Sequence, residues 1–300
     1  MPAAEIATEL VRLEQNPAIR EELNFAARAD ALDYLEFHLI DRLASLGTDI
    51  GPAAGVGLLQ QRAERLQQQL EAIDAALFQR LRVEIRAGYH RGAAFRALAE
   101  QCVGFPIASR RLHAPAAGYD VLDEFTNGLF QLRALPLETT AREPEMVHYQ
   151  KTPTRIVFEL VEQAAFAKED VFVDVGAGLG HVPLLLSLLS GVRARGIELE
   201  PAYVAIAAGW AADLGLSRVT FKQADARWAN YSEGTVFFLY TPFGGRMMAE
   251  VMERLRAESQ RRRITLFTYG PCTLEVARQP WLQGVGAGEM NADRLAQFKS

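Results

Sequence analysis

Asp174-Val-Gly176-Ala-Gly178-Leu-Gly180-His181 joins an apolar run, Val171-Phe-Val-Asp-Val175, to a second apolar stretch at 182–189. The first run is short, β-branched and aromatic, as a buried strand is; the second is longer and Leu-rich, as a helix is. The glycines between them let the chain turn tightly and bring its backbone within contact distance of a ligand. A helix starting near Gly180 presents unpaired N–H groups and the positive end of its dipole, which suits an anion.

The same rhythm continues downstream. Ala194-Arg-Gly-Ile-Glu198, Val219-Thr-Phe-Lys222, Val236-Phe-Phe-Leu-Tyr240 and Ile264-Thr-Leu-Phe-Thr-Tyr269 read as strands. Helical stretches fall at about 201–214 and 247–258. Strand and helix in alternation predict an α/β unit, a mostly parallel sheet with helices on both faces. Ligands of such sheets bind beyond the C-terminal strand ends, so the residues just after each strand are the candidates. Glu198 ends the second strand, where a carboxylate can accept from both hydroxyls of a ribose. That feature suits NAD equally well. A dinucleotide fingerprint, however, would place its third glycine at position 181, where His181 stands.

Glycines at 176, 178 and 180, with Asp174 two positions before the first, resemble motif I of the class I S-adenosylmethionine (SAM)-dependent methyltransferases. The resemblance runs over about 149–269 and implies a Rossmann-like fold with SAM as cofactor. It implies cofactor contacts from Asp174, Gly176, Ala177, Gly178 and Gly180, with Glu198 on the ribose. In Gln223-Ala-Asp225-Ala226, Asp225 looks like the family's adenine contact, with the Ala226 N–H facing the ring. Leu239-Tyr-Thr-Pro-Phe-Gly-Gly245 resembles motif IV, beside the transferable methyl. Members acting on planar nitrogens often carry Asn or Asp before Pro-Pro-Tyr. Thr241 stands there instead, which argues against such acceptors. Upstream, His148-Tyr149-Gln-Lys-Thr152 matches the stretch that closes over the methionine end, with Tyr149 and Thr152 as polar contacts. Apolar clusters at 281–285 and 295–298 fit the antiparallel pair that ends the family's sheet. A looser similarity links the chain to the non-SET histone-lysine methyltransferases, which also place DxGxGxG after a helical region.

The preceding hundred residues read as helix. Ile19, Leu23, Leu32, Leu35, Leu39, Leu43 and Leu46 recur at threes and fours between Pro17 and Gly47, a helix's opening and closing residues. Gly51-Pro-Ala-Ala-Gly-Val-Gly57 punctuates the chain. A long stripe of Leu59, Leu66, Leu70, Ile73, Leu77, Leu81 and Ile85 follows, either the inside of a bundle or the seam of a homodimer. Short helices fit 93–102 and 119–132. The expected organisation is an all-α N-terminal domain (1–112), a connecting or lid segment (113–148) and a SAM-binding catalytic domain (149–300).

Of the 300 residues, 49% are hydrophobic and 23% charged, the balance of a globular protein. A formal charge of -5 argues against broad binding to nucleic acid or anionic lipid. Cys102 and Cys272 are distant and read as reduced thiols, and the five histidines lack metal-ligand spacing. No signal sequence and no apolar run of membrane-spanning length are evident, so a cytoplasmic protein without a metal is expected. Arg261-Arg-Arg263 and Glu200 read as solvated. The functional expectation is methyl transfer from SAM to a small molecule or protein. His148 and Tyr240 are the candidate catalytic groups. An NAD-dependent oxidoreductase and a non-catalytic SAM-binding module are the alternatives.

Overall fold

The computed structural model describes residues 3–50, 54–107, 118–132, 134–286 and 291–300. The chain forms two compact units. One comprises Met1–Val83, Ala97–Pro106 and Asp120–Gln131; the other comprises Glu84–Arg96, Ile107–Tyr119 and Leu132–Ser300.

The helical unit begins with α1 (Ala3–Glu14), followed by a 3-10 turn at Pro17–Arg20. The expected helix from Pro17 is therefore broken: the chain leaves helical geometry at Glu21, and Asn24 caps a new helix, α2 (Phe25–Tyr34), by accepting from Ala27 N. A π-helical stretch, Leu35–Ile40, leads into α3 (Asp41–Ile50), which passes straight through Gly47. Of the punctuating segment, 51–53 lie outside the described residues, whereas Gly55 and Gly57 belong to α4 (Ala54–Arg86). Leu66, Leu70, Leu77 and Leu81 of α4 are almost fully buried. Leu66 and Leu70 pack with Ile6, Leu10, Leu35, Leu39 and Leu43 of the same unit. This part of the stripe thus packs inside the unit. Two further helices complete the α region, α5 (Ala93–Val103) and α6 (Val121–Phe130). The rings of Phe25, Phe78 and Phe125 meet pairwise at 5.5–5.8 Å.

In the second unit, α7 (Thr154–Ala164) precedes β1 (Val171–Val175), α8 (His181–Ser190), β2 (Arg193–Glu198) and α9 (Pro201–Asp213). Then come β3 (Val219–Gln223), β4 (Val236–Tyr240), α10 (Gly245–Ser259), β5 (Thr265–Tyr269), α11 (Cys272–Val276), β6 (Gln283–Val285) and β7 (Ala296–Lys299). They form one seven-stranded sheet in the order β3-β2-β1-β4-β5-β7-β6. β1 to β5 are parallel; β7 runs antiparallel to both β5 and β6. Alternation along the strands separates two faces. Val171, Val173, Val175, Phe237 and Leu239 pack with Met248, Val251, Met252 and Leu255 of α10. Phe172 and Phe238 stack together at 6.5 Å on the opposite face. α8 packs on β1 and β2, and α9 on β2 and β3. Arg262, partly exposed, is anchored: it donates to the carbonyls of Tyr231 and Gly234, tying the loop before β4 to the turn after α10. Among the described residues, no helix is long and apolar enough to cross a membrane.

β1 lies between β2 and β4, so the chain leaves it in opposite directions for the two halves of the sheet. A crevice at such a switch point, beyond the strand ends, is where open α/β sheets bind ligands.

Candidate functional site

The turn after β1 is shaped by its glycines. Gly176, Gly178 and Gly180 all have positive φ, at 82°, 52° and 77°. A Cβ on Gly178 would sit 2.3 Å from the Tyr149 ring, and one on Gly176 2.4 Å from Pro242. The turn is therefore roofed closely by two other loops. Gly180 has a different task. A Cβ there would meet Phe221 and Ala207, so it permits close packing of the turn against β3 and α9. It does not line the cavity.

That cavity, about 530 Å³, opens beyond the C-terminal ends of the strands. His148, Tyr149, Gly176, Gly178, Glu198, Asp225, Ala226, Tyr240 and Thr241 all line it. A small adjoining cleft is lined by Thr152, Asp174, Ala177 and His181, and shares Tyr149, Gly176 and Tyr240 with the cavity. Among the sequence candidates, only Gly180 lies away from both.

Glu198 is half-buried and cradled by backbone. Its Oε2 accepts from Gly178 N at 2.8 Å, and its Oε1 from Leu199 N and Glu200 N at 2.7 and 2.9 Å. Burial pushes its pKa up against these hydrogen bonds. Asp174 is deeply buried, and burial followed by the charge of Glu198 raises its pKa well above the ordinary carboxyl range. Asp225 keeps its place on the wall, but its carboxylate is held by Arg227. Oδ1 accepts from Arg227 N at 2.8 Å, and Oδ2 from its guanidinium at 2.6 Å. Those bonds draw its pKa down.

Thr241 is strained, a β-branched residue at φ 40°. Its hydroxyl donates to Tyr269 O at 3.4 Å and accepts from Cys272 N at 3.2 Å, while its own N–H donates to Cys272 Sγ. The side chain and the N–H are thus both committed to the α11 turn. Tyr240 and Tyr269 pair at 5.1 Å. Burial, then the neighbouring Tyr119 and Tyr269, raises the Tyr240 pKa. The phenol stays protonated at neutral pH. His181 packs edge-on against Trp210 at 5.3 Å. Burial first, and the charge of Lys151 second, hold its ring neutral.

The strap 138–149, most of it within the segment read as connecting or lid-forming chain, forms a further wall. Tyr203 donates to Glu138 at 2.9 Å, and Arg227 reaches Glu143 at 3.1 Å. The Glu145 carboxylate caps α10 by accepting from Arg246 N and Met247 N. Met146 bridges Phe243 in antiparallel fashion. Glu200 is the central clasp. Far from being solvated, it is 5% exposed and accepts from Thr139 N (3.0 Å), Thr139 Oγ1 (2.8 Å) and Thr140 N (2.8 Å). Burial raises its pKa, but the hydrogen bonds from Thr140 and Thr139 outweigh that and leave it at about 2.

A depressed carboxyl stabilises the fold above its ordinary pKa near 4.5 and loses that contribution as pH falls toward 2. The thermal midpoint of Glu200→Gln should therefore fall less steeply between those pH values than that of the unaltered protein. Equal slopes would contradict the clasp.

No protein-family model and no curated protein matches the chain. Similar solved structures exist. One is an RNA methyltransferase from Salinibacter ruber in complex with S-adenosyl-L-homocysteine (23% identity, 50% of this chain and 92% of that one, TM-score 0.39). A second is a SAM-dependent methyltransferase from Geobacter sulfurreducens, also with S-adenosyl-L-homocysteine (22%, 46% and 52%, 0.32). A third is the precorrin-6y C5,15-methyltransferase of Geobacter metallireducens (16%, 52% and 92%, 0.38). At these identities and TM-scores the likenesses carry no argument about activity. None of the three is a histone-lysine methyltransferase, and that looser resemblance gains no support.

Proposed function

We propose that the chain is a SAM-dependent methyltransferase acting on a small-molecule or protein acceptor. The observation that carries this reading is the Glu198–Gly178 contact. It joins an acid at the end of β2 to the backbone of the glycine turn, at the switch point, inside a cavity of ligand size. The residues fit the cofactor. Backbone N–H groups take three of the roughly four lone-pair sites of Glu198, which leaves one on Oε2 for a ribose hydroxyl, and the Ala226 and Asp225 wall suits the adenine, whose amino group would share the carboxylate with Arg227. The cleft by Asp174 and Thr152 suits the amino-acid end. Gly176 and Gly178 let Pro242 and Tyr149 pack closely on the turn at the cavity wall.

SAM, when bound, supplies a methyl group already activated on a sulfonium. The chain's own residues then have to hold the acceptor in line and shed water, which is catalysis by orientation. Tyr240, Phe243 and Tyr269 form an apolar wall for the acceptor, with the Tyr240 hydroxyl as donor. His148, exposed on the rim, is the candidate base for an acceptor that must lose a proton. The two free, buried cysteines fit a cytoplasmic setting.

Calorimetry with SAM, S-adenosylhomocysteine and NAD tests the reading. Binding of the first two is expected; selective binding of NAD would overturn it, and SAM binding with no turnover across a wide acceptor panel would favour a binding module. Hydrogen bonds to a charged acceptor contribute about 1.5–3 kcal/mol. Glu198→Ala is therefore expected to weaken S-adenosylhomocysteine binding by roughly 10- to 100-fold, and unchanged affinity would refute the ribose contact.

A further inference from the structure

We propose that the methyl acceptor is an alkyl amine that enters as its ammonium, with Asp293 as the carboxylate that selects it; this rests on the reading of the cavity as a SAM site. The strand order separates two ends of that cavity. Asp225 and Glu198 follow or end β3 and β2, whereas Tyr240 and Tyr269 end β4 and β5. Ala292 belongs to the second end, because its carbonyl accepts from Gly270 N, just after β5, at 2.8 Å. Asp293 is the next residue and lines the cavity. β5 lies three strand spacings from β2, about 14 Å along the sheet. Asp293 therefore meets a different part of the bound ligands than Glu198 does.

Charge and shape at this second end suit an ammonium. The carboxylates lining the cavity are Glu138, Glu198, Glu200, Asp225 and Asp293, and the one arginine, Arg142, is paired to Glu138 at 3.0 Å. Glu198, Glu200 and Asp225 are taken up by donors of the chain itself. Asp293 donates its N–H to Asn291 Oδ1 at 2.7 Å, while its exposed carboxylate has no hydrogen bond or ion pair with another described residue. A cleft lined mainly by one sign of charge draws the opposite sign and repels its own. The Tyr240 and Tyr269 rings, 5.1 Å apart, add aromatic faces that attract an ammonium. The Tyr240 oxygen, without a partner among the described residues, has lone pairs for one of its N–H groups. Thr241 brings no amide oxygen to grip a planar amino group. An alkyl amine needs none, because its lone pair is localised once a proton has left.

The ammonium gives that proton to the imidazole of His148 on the rim. The nitrogen lone pair then forms the N–C bond to the methyl as the C–S bond breaks, and the bonding pair stays on sulfur. The products are an N-methylated ammonium and the neutral thioether S-adenosylhomocysteine.

The test is calorimetric binding to the full chain saturated with S-adenosylhomocysteine. The probes are matched sets: alkylamines of increasing size beside the corresponding alcohols and carboxylates, and a lysyl peptide beside its norleucyl counterpart. In at least one set the amine is expected to bind about 10-fold more tightly than its counterparts. Free amines and peptide separate a small-molecule acceptor from a protein side chain. Asp293→Asn should narrow that preference by about two- to fivefold, the range of an exposed carboxylate, and leave S-adenosylhomocysteine affinity unchanged. Mass spectrometry after incubation with SAM should find the added methyl on the nitrogen of the bound amine. No preference for the amine in any set, a preference untouched by Asp293→Asn, or methylation at oxygen instead of nitrogen would overturn the proposal while leaving the cofactor reading standing. Failure of the unaltered protein to bind S-adenosylhomocysteine would overturn both.

Discussion

Gly178→Val is expected to abolish S-adenosylhomocysteine binding while the sheet stays folded. Three effects act together. A β-branched residue at φ 52° costs roughly 1–3 kcal/mol of backbone strain. Its Cβ would overlap the Tyr149 ring, 2.3 Å away, so either the ring or the turn must move. A turn that moves breaks the Gly178 N–H bond to Glu198, which costs about 1.5–3 kcal/mol for a charged acceptor. The sum corresponds to an affinity loss of about 100-fold or more. The pairings of β1 with β2 and β4 involve residues 171–175 and do not use position 178. Circular dichroism should accordingly remain that of the unaltered protein. Retained binding in calorimetry would make the glycine turn a structural feature only.

The second large effect belongs to the helical unit. Arg28 is fully buried, with Nε donating to Asp74 at 2.6 Å and the two terminal nitrogens to the carbonyls of Glu21 and Glu22. It thereby closes the break between the 3-10 turn and α2. Burial raises the Asp74 pKa even against the Arg28 hydrogen bond, so desolvation outweighs attraction at the carboxylate. A pair of this kind contributes little net stability, yet removing one partner strands the other charge, at about 3–5 kcal/mol. Asp74→Ala should therefore lower resistance to urea by that amount, a large share of the ~5–15 kcal/mol of an ordinary domain. The double variant Arg28→Met/Asp74→Leu should recover only part of the loss, because methionine leaves the carbonyls of Glu21 and Glu22 without their donor. A double variant as unstable as the single one would show that the pair is a net stabiliser.

The α/β half was legible because its signals are local. Val171–Val175 and Val236–Tyr240 are short, strongly apolar and bounded by glycine or turn residues, and they are strands to the residue. In the helical half, the period of 3.6 identified the buried stripe of α4 but not the break at Glu21. The carbonyls freed there are satisfied by Arg28, whose place is known only once α4 lies beside it.

The glycine turn after β1 shows the same division. Its sequence alone determined a strand, a tight turn, a helix and an acid at the next strand end, because each depends on neighbours along the chain. Only the tertiary structure decided that Gly178 makes room for Tyr149, that Gly180 serves packing, and that Glu200 is a clasp. It alone turned Thr241 toward α11. Those roles depend on which distant groups meet, and hence on hydrogen bonds and burial that adjacency in sequence does not encode.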